Sequence, residues 1–170
     1  MGEIIFVLGG ARSGKSSFAL SEASRISGRK AFIATMEPLD SELQARVDAH
    51  RKERGPEWET FEEPLQLSPL MDRINGHYNA ILVDCLTLWL SNHLLKNGGP
   101  TEEKTRQFID SMKKAACPVF AVSNEVGMGI VPDTELGRAF RDEAGQCNRL
   151  MAAAADKAYF IVAGISQRIK

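Results

Sequence analysis

The residues best suited to chemistry form a glycine-rich segment near the amino end of the chain. Residues 9–16 read GGARSGKS and fit the phosphate-binding pattern G-x-x-x-x-G-K-[ST]. An apolar run precedes the segment and a helical pattern follows it, so backbone N–H groups and a helix N-terminus are expected to surround a phosphate group. Lys15 is expected to reach the β- and γ-phosphates, and the Ser16 hydroxyl to hold Mg²⁺. The predicted phosphate-binding residues are Gly9, Gly10, Ala11, Arg12, Ser13, Gly14, Lys15 and Ser16.

A second candidate is an acidic residue that ends another apolar run. Residues 80–83 (AILV) predict a buried strand, and Asp84 follows them. At the carboxyl end of a parallel sheet, Asp84 would lie near the phosphate loop and orient Mg²⁺ directly or through water. The alternative is an aspartate that begins the next turn or caps the following helix.

His50 is a less obvious candidate, on a helix predicted over residues 41–54. With Arg46 and Arg54 it follows an i, i+4, i+8 spacing, which places all three side chains on one face. Guanidinium groups bind phosphate oxygens, and their charge favours the neutral imidazole, which can attack phosphorus. The alternative is a boundary histidine that caps or packs, which a lone histidine more often is.

Three further polar residues follow predicted strands. Glu62 could accept hydrogen bonds from a guanine or ribose edge, or simply be solvated. Asn124 and Glu125 begin a long loop with two glycines, and loops at the carboxyl ends of strands bind ligands in open α/β sheets. A structural turn explains that loop as well, and the residues alone leave both interpretations open.

The whole chain alternates strand and helix patterns, which predicts an α/β fold with a mostly parallel sheet and helices on both faces. One domain is expected over residues 1–170. Residues 165–169 alternate apolar and polar side chains and predict an antiparallel edge strand at the carboxyl-terminal end of the sheet. The other predicted strands are residues 3–8, 30–35, 58–61, 80–83, 119–123 and 158–162. The predicted helices are residues 15–26, 41–54, 65–74, 87–95, 102–116 and 135–155.

Net charge, cysteine spacing and the lengths of apolar runs exclude several classes of protein. The formal net charge of −1 argues against a nucleic-acid partner or a membrane surface. Cys85, Cys117 and Cys147 form no C-x-x-C pair, which predicts buried thiols in a reducing compartment rather than a zinc site or disulfides. Neither a signal peptide nor a membrane span is indicated, so we expect a soluble cytoplasmic protein.

Taken together, these residues resemble those of one family, the bifunctional adenosylcobinamide kinase / adenosylcobinamide-phosphate guanylyltransferases of cobalamin nucleotide-loop assembly. The resemblance covers nearly the whole chain. The phosphate loop is common to many families, whereas residues 124–132 (NEVGMGIVP) are highly specific. The other matching positions are Ala34-Thr35, Arg46-Val47, His50-Arg51, Trp58, Asn148-Arg149, residues 153–156 and Gly164-Ile165.

The resemblance implies a RecA-like P-loop NTPase fold and two reactions. The enzyme would phosphorylate the aminopropanol hydroxyl of adenosylcobinamide with ATP or GTP. It would then transfer GMP from GTP through a GMP–histidine intermediate, at the position of His50, to give adenosylcobinamide-GDP and pyrophosphate. Mg²⁺, a corrinoid substrate and a homotrimer are implied with them. Besides the phosphate loop, the positions implied to contact GTP are Ala34, Thr35, Met36, Arg51, Lys52, Glu53, Arg54, Glu62 and Asp84.

Three rival interpretations follow from the phosphate loop alone. A simple small-metabolite kinase would leave His50 structural. A nucleotide-dependent switch would bind a partner and hydrolyse its nucleotide slowly. A RecA-like nucleic-acid motor shares the core fold, but the charge balance and the short chain disfavour it.

Overall fold

The computed structural model describes residues 2–36, 54–97 and 100–170. The helix predicted over residues 41–54 lies almost entirely outside them. Within the described residues, the strands are β1 (Ile4–Gly9), β2 (Lys30–Ala34), β3 (Trp58–Glu62), β4 (Ala80–Asp84), β5 (Val119–Asn124), β6 (Lys157–Val162) and β7 (Ile165–Arg168). The described helices are α1 (Lys15–Ser24), α2 (Leu67–Ile74), α3 (Leu86–Asn97), α4 (Glu102–Lys114) and α5 (Glu135–Ala154).

All of these strands belong to one sheet, in the order β3-β2-β4-β5-β1-β6-β7. The pairs from β3 to β6 are parallel, and β7 runs antiparallel to β6 at the edge. This confirms the predicted mostly parallel sheet with its antiparallel edge strand. The parallel strands therefore end at one edge of the sheet, where Gly9 is in register with Asn124, and Ala34 with both Glu62 and Asp84.

The core has two layers because successive strand residues point to opposite faces of the sheet. On one face, Phe6 and Val83 pack with apolar residues of α2, α3, α4 and α5. On the other face, Val7 and Leu82 pack with Ala19 of α1. Central strands covered on both sides are accordingly apolar at nearly every position, as the sequence indicated.

Helix α2 begins at Leu67, two residues later than the sequence predicts. The Glu63 carboxylate accepts hydrogen bonds from the backbone N–H groups of Leu65 (3.0 Å) and Gln66 (2.8 Å). The carbonyl of Leu65 accepts a bond from the Trp89 indole at 2.9 Å. These backbone groups are satisfied outside a helix, so the helix starts after them.

Thr101 is the N-cap residue of α4, but its side chain does not cap that helix. Its hydroxyl donates to Glu143 on α5 at 2.5 Å, and its backbone N–H donates to the same oxygen at 2.8 Å. Thr101 therefore links α4 to α5 instead of capping the start of α4.

The three cysteines are free and buried, as predicted. Burial raises the pKa of Cys85, Cys117 and Cys147 to about 11 in each case, so the thiols stay protonated at neutral pH. None of the described helices is long and apolar enough to cross a membrane.

Candidate active site

The phosphate loop joins the end of β1 to the start of α1, as the sequence predicts. A Cβ on Gly9 would lie 2.6 Å from the carbonyl oxygen of Ile161 and 2.6 Å from Ser13 Oγ, which excludes any side chain there. Gly14 is the N-cap of α1 and has φ 92°, a left-handed conformation that favours glycine. The two glycines of the pattern therefore serve different needs, close approach at Gly9 and backbone conformation at Gly14.

Lys15 folds back over this loop. Its Nζ donates to the carbonyl of Gly10 at 3.1 Å, and the residue is only 8% exposed. Burial raises the pKa of the Cys85 thiol, the Asp84 carboxylate raises it further, and the Lys15 ammonium lowers it. Gly9 ends β1 and Asp84 ends β4, and β5 pairs with both strands, so the phosphate loop and Asp84 lie at the same edge of the sheet.

Asp84 ends β4, at the predicted position beside the loop. Thr35 fixes its backbone: the Thr35 N–H donates to the Asp84 carbonyl at 3.2 Å. The Thr35 hydroxyl donates to the carbonyl of Cys85 (2.7 Å) and accepts from the Cys85 N–H (2.8 Å). The peptide bond between Asp84 and Cys85 is cis. Ala34 ends β2 and is in register with Asp84 on one side and with Glu62, at the end of β3, on the other; Met36 follows Thr35.

Arg54 lies away from that edge. Its guanidinium Cζ is 3.8 Å from the centre of the Phe32 ring, and Nη2 donates to Thr60 Oγ1 at 3.2 Å. Phe32 and Thr60 are paired in the middle of β2 and β3. The remaining predicted residues of this segment, His50, Arg51, Lys52 and Glu53, lie outside the described residues.

The loop after β5 is tied to the phosphate loop. The N–H of Glu125 donates to the carbonyl of Gly9 at 3.0 Å, and the Asn124 N–H donates to Thr87 Oγ1 at 2.7 Å. The Glu125 carboxylate accepts from the Gly127 N–H at 2.7 Å. This bond stabilises the turn itself, so the side chain of Glu125 has a structural partner in its own loop.

The turn between β6 and β7 also contacts the phosphate loop, which the sequence analysis did not predict. Ala163 and Gly164 both have left-handed backbones, with φ 49° and 81°. The Gly164 N–H donates to the carbonyl of Ser13 at 2.8 Å. Ser13 Oγ is buried and, among the described residues, has no hydrogen-bond partner. The pair Ala-Gly after an apolar strand indicates a turn, but only the fold shows what the turn touches.

The oxygen donors near the loop suit Mg²⁺. Ser16 is the second residue of α1, and Asp84 ends β4 at the same edge of the sheet. In phosphoryl transfer, Mg²⁺ is usually held by one or two protein oxygens together with phosphate oxygens and water. The described residues hold no group of three or more His, Cys, Asp or Glu side chains that could hold a metal ion. A hydroxyl and a carboxylate at the same edge as a phosphate site are oxygen donors of the kind that fit Mg²⁺.

Comparison with known proteins places the whole chain in a family. Residues 5–169 match the family described as "Cobinamide kinase / cobinamide phosphate guanyltransferase" (CobU). The chain belongs to this family. Membership makes it an enzyme of the transferase class, as predicted.

Similar curated proteins support the assignment. The chain is 38% identical to the bifunctional adenosylcobalamin biosynthesis protein CobU of Escherichia coli K12, over 98% of this chain and 99% of that protein. It is 37% identical to the bifunctional adenosylcobalamin biosynthesis protein CobP of Pseudomonas aeruginosa PAO1, over 96% and 95%. It is 36% identical to the CobU of Salmonella typhimurium LT2, over 98% and 99%.

Among solved structures, the RadB recombinase is similar in fold. The match has a TM-score of 0.57 and 13% sequence identity, and covers 94% of this chain and 74% of that chain. At this identity the likeness concerns the fold, and it confirms the predicted RecA-like P-loop architecture.

Proposed function

We propose that this chain phosphorylates the aminopropanol hydroxyl of adenosylcobinamide with ATP or GTP, and then transfers GMP from GTP to the new phosphate. The products would be adenosylcobinamide-GDP and pyrophosphate, in the nucleotide-loop assembly of adenosylcobalamin. The proposal rests above all on one observation: the phosphate loop, Lys15 and Asp84 lie at the carboxyl edge of one sheet in a chain of the cobinamide kinase / guanyltransferase family.

In the kinase step, the hydroxyl oxygen of the corrinoid attacks the γ-phosphorus, and the bond to the β-phosphate oxygen breaks. The Lys15 ammonium, the loop N–H groups and the N-terminus of α1 stabilise the negative charge on the transferred group. When bound, Mg²⁺ would neutralise phosphate charge, with Ser16 and Asp84 as its protein ligands. The buried position of Lys15 keeps its charge close to the loop, where a phosphate would lie.

In the guanylyl step, a nitrogen of the neutral His50 imidazole attacks the α-phosphorus of GTP, and pyrophosphate leaves. The phosphate of adenosylcobinamide phosphate then attacks the same phosphorus and releases the imidazole. The role of His50 is supported by its spacing from Arg46 and Arg54 and by the family resemblance.

The remaining parts of the proposal concern contacts and setting. We propose a cytoplasmic homotrimer with no nucleic-acid partner, with a corrinoid as its small-molecule substrate. The proposed nucleotide contacts outside the phosphate loop are Ala34, Thr35, Met36, Arg51, Lys52, Glu53, Arg54, Glu62 and Asp84. For Arg54, the proposal requires its guanidinium to leave the Phe32 ring when the nucleotide binds.

Two variants separate the half-reactions. The protein is incubated with adenosylcobinamide and GTP labelled at either the α- or the γ-phosphate, and the products are identified by mass. His50→Ala should abolish acid-labile labelling of the protein from α-labelled GTP and leave the γ-phosphate transfer largely intact. Lys15→Ala should lower both transfers by about a hundredfold or more, because both lose the charge that positions the phosphates. His77→Ala, at an exposed histidine, is the matched control and should behave as wild type.

Each rival interpretation predicts a different result. A simple kinase would label its substrate only from the γ-phosphate and would never carry the α-label on the protein. A nucleotide switch would show no turnover with the corrinoid. Loss of both activities in His50→Ala with the fold intact would contradict the assigned role of His50.

A further inference from the structure

An open groove lies beside the loop that leaves β5. It encloses about 510 Å³. Its floor and walls come from the middle of α5 and from the loop itself. The lining residues are Gly127, Arg141, Asp142, Gly145, Gln146 and Arg149.

Hydrogen bonds connect this groove to the phosphate loop. The Glu125 N–H donates to the carbonyl of Gly9 at 3.0 Å, and the Gly127 N–H donates to the Glu125 carboxylate at 2.7 Å. Arg141 Nη2 then donates to the carbonyl of Gly127 at 2.9 Å. Since two residues span at most about 7 Å, the groove begins close to the phosphate loop. A molecule bound in it could extend a side arm to the transferred phosphate.

The same loop exposes apolar side chains. Ile130 is 95% exposed, Met128 80% and Val131 60%. Three large apolar residues within four positions on the surface, rimmed by polar groups, are typical of a binding surface. This surface lies at the carboxyl edge of the sheet, where open α/β folds bind their ligands.

The chemistry of the groove suits a flat molecule with polar edges. Gly145 is exposed, and a Cβ placed on it would meet nothing within 4 Å. Arg141 and Arg149 lie one turn before and one turn after it, on the same face of α5. Glycine in a helix interior is less stable than alanine, and packing does not require it here. At Gly145 the helix surface has no side chain, so a broad ligand could approach it closely. The guanidinium groups of Arg141 and Arg149 could then donate hydrogen bonds to carbonyl groups of that ligand.

We propose that this groove and the exposed loop bind the corrinoid substrate, an inference that rests on the proposed function. Met128, Ile130 and Val131 contact the macrocycle, and Arg141 and Arg149 donate to the carbonyl oxygens of its peripheral amides. The aminopropanol arm then reaches past Glu125 to the phosphate loop.

The test fills the groove without disturbing the fold. Gly145→Gln should weaken binding of adenosylcobinamide at least tenfold in equilibrium dialysis, followed by the absorbance of the corrinoid. Ile130→Ser should weaken it as well. Affinity for a fluorescent GTP analogue should remain within twofold of wild type in both.

Gly145→Ala should raise the melting temperature by ~2–4 °C, because alanine favours the helix. Ala153→Gln, which adds the same bulk to an exposed site near the end of α5, should bind the corrinoid normally.

The outcomes distinguish this inference from the proposed function. Wild type that binds no corrinoid would overturn both. Wild type that binds it, together with an unchanged affinity in a folded Gly145→Gln variant, would overturn the groove alone. A change of molecular mass in Gly145→Gln by light scattering would assign the surface to contact between copies, and would also overturn the inference.

Discussion

Thr35 joins two strands of the site through a single side chain. It is fully buried at the end of β2, and its hydroxyl both donates to the carbonyl and accepts from the N–H of Cys85. The Cys85 carbonyl also accepts a bond from Trp89, so it keeps a partner if the hydroxyl is lost. The Cys85 N–H has the Thr35 hydroxyl as its acceptor, so Thr35 also holds the backbone that carries Asp84.

Substituting Thr35 tests this dependence. Thr35→Val keeps the shape but leaves the buried Cys85 N–H without its acceptor, so the free energy of unfolding should fall by about 1–3 kcal/mol. Urea unfolding measures it. Thr35→Ser keeps the hydroxyl and should recover most of the loss. Equal stability of the valine and serine variants would show that the hydroxyl contributes nothing.

Site residues that are encoded by a few adjacent positions could be predicted from the sequence. The phosphate loop and Asp84 could be predicted because a short motif and a strand-ending carboxylate are visible in a few adjacent residues. The bonds of Thr35 could not, because they join positions 50 residues apart and depend on the pairing of β2 with β4. The position of Arg54 on Phe32 and Thr60 depends in the same way on the pairing of β2 with β3.

The β6–β7 turn shows how one element supports another. The Gly164 N–H holds the carbonyl of Ser13, and the left-handed backbone of Gly164 is what aims that N–H at the loop. Gly76, which follows α2, has nearly the same φ, 80° against 81°, and neither glycine would bring a Cβ within 4 Å of another atom. The two glycines therefore differ in what their turns touch rather than in strain.

This pair makes a matched experiment. Gly164→Ala and Gly76→Ala should each lower the free energy of unfolding by about 1–2 kcal/mol, because alanine is strained in the left-handed region. Only Gly164→Ala should also weaken GTP binding severalfold, since it displaces the turn that fixes Ser13. Fluorescence titration with a GTP analogue measures the affinity. Equal affinity in both variants would mean that the turn does not position the phosphate loop.

The elements themselves followed largely from pattern. Every described strand was predicted to within one residue at each end. The buried parallel strands are short apolar runs, and the edge strand β7 was found by its alternation of apolar and polar residues. Helix α2 started late because Glu63 and Trp89 hold the backbone before Leu67, and such side-chain bonds have no periodic signal. The bond from Thr101 to Glu143 likewise has no local signal, because the two residues are 42 positions apart in the chain.

For the whole molecule, the edge strand β7 presents a surface suited to assembly. All four residues of β7 are exposed, and Ile165 is 73% exposed. Uncovered strand edges with apolar side chains pair readily with other chains. The structure therefore gives the proposed homotrimer an available surface. The alternation of strand and helix patterns in the sequence predicts a sheet, but it predicts neither the order of the strands nor the contacts of the sheet with other chains.

Light scattering tests the assembly. The mass in solution should be three times 18.7 kDa, or about 56 kDa, and should stay constant over a tenfold range of protein concentration. Ile165→Glu, at this exposed position, places a charge on the edge and serves as a probe of whether β7 takes part. A wild-type mass of one chain at all concentrations would contradict the trimer.

The strand order also determines when the enzyme becomes competent during its synthesis. β1 is made well before β5 and β6, which are its neighbours in the sheet. The turn that holds Ser13 emerges later still, with Gly164. A nascent chain therefore carries its nucleotide loop without these supports until β5, β6 and Gly164 have been made, and we expect full affinity for GTP only then.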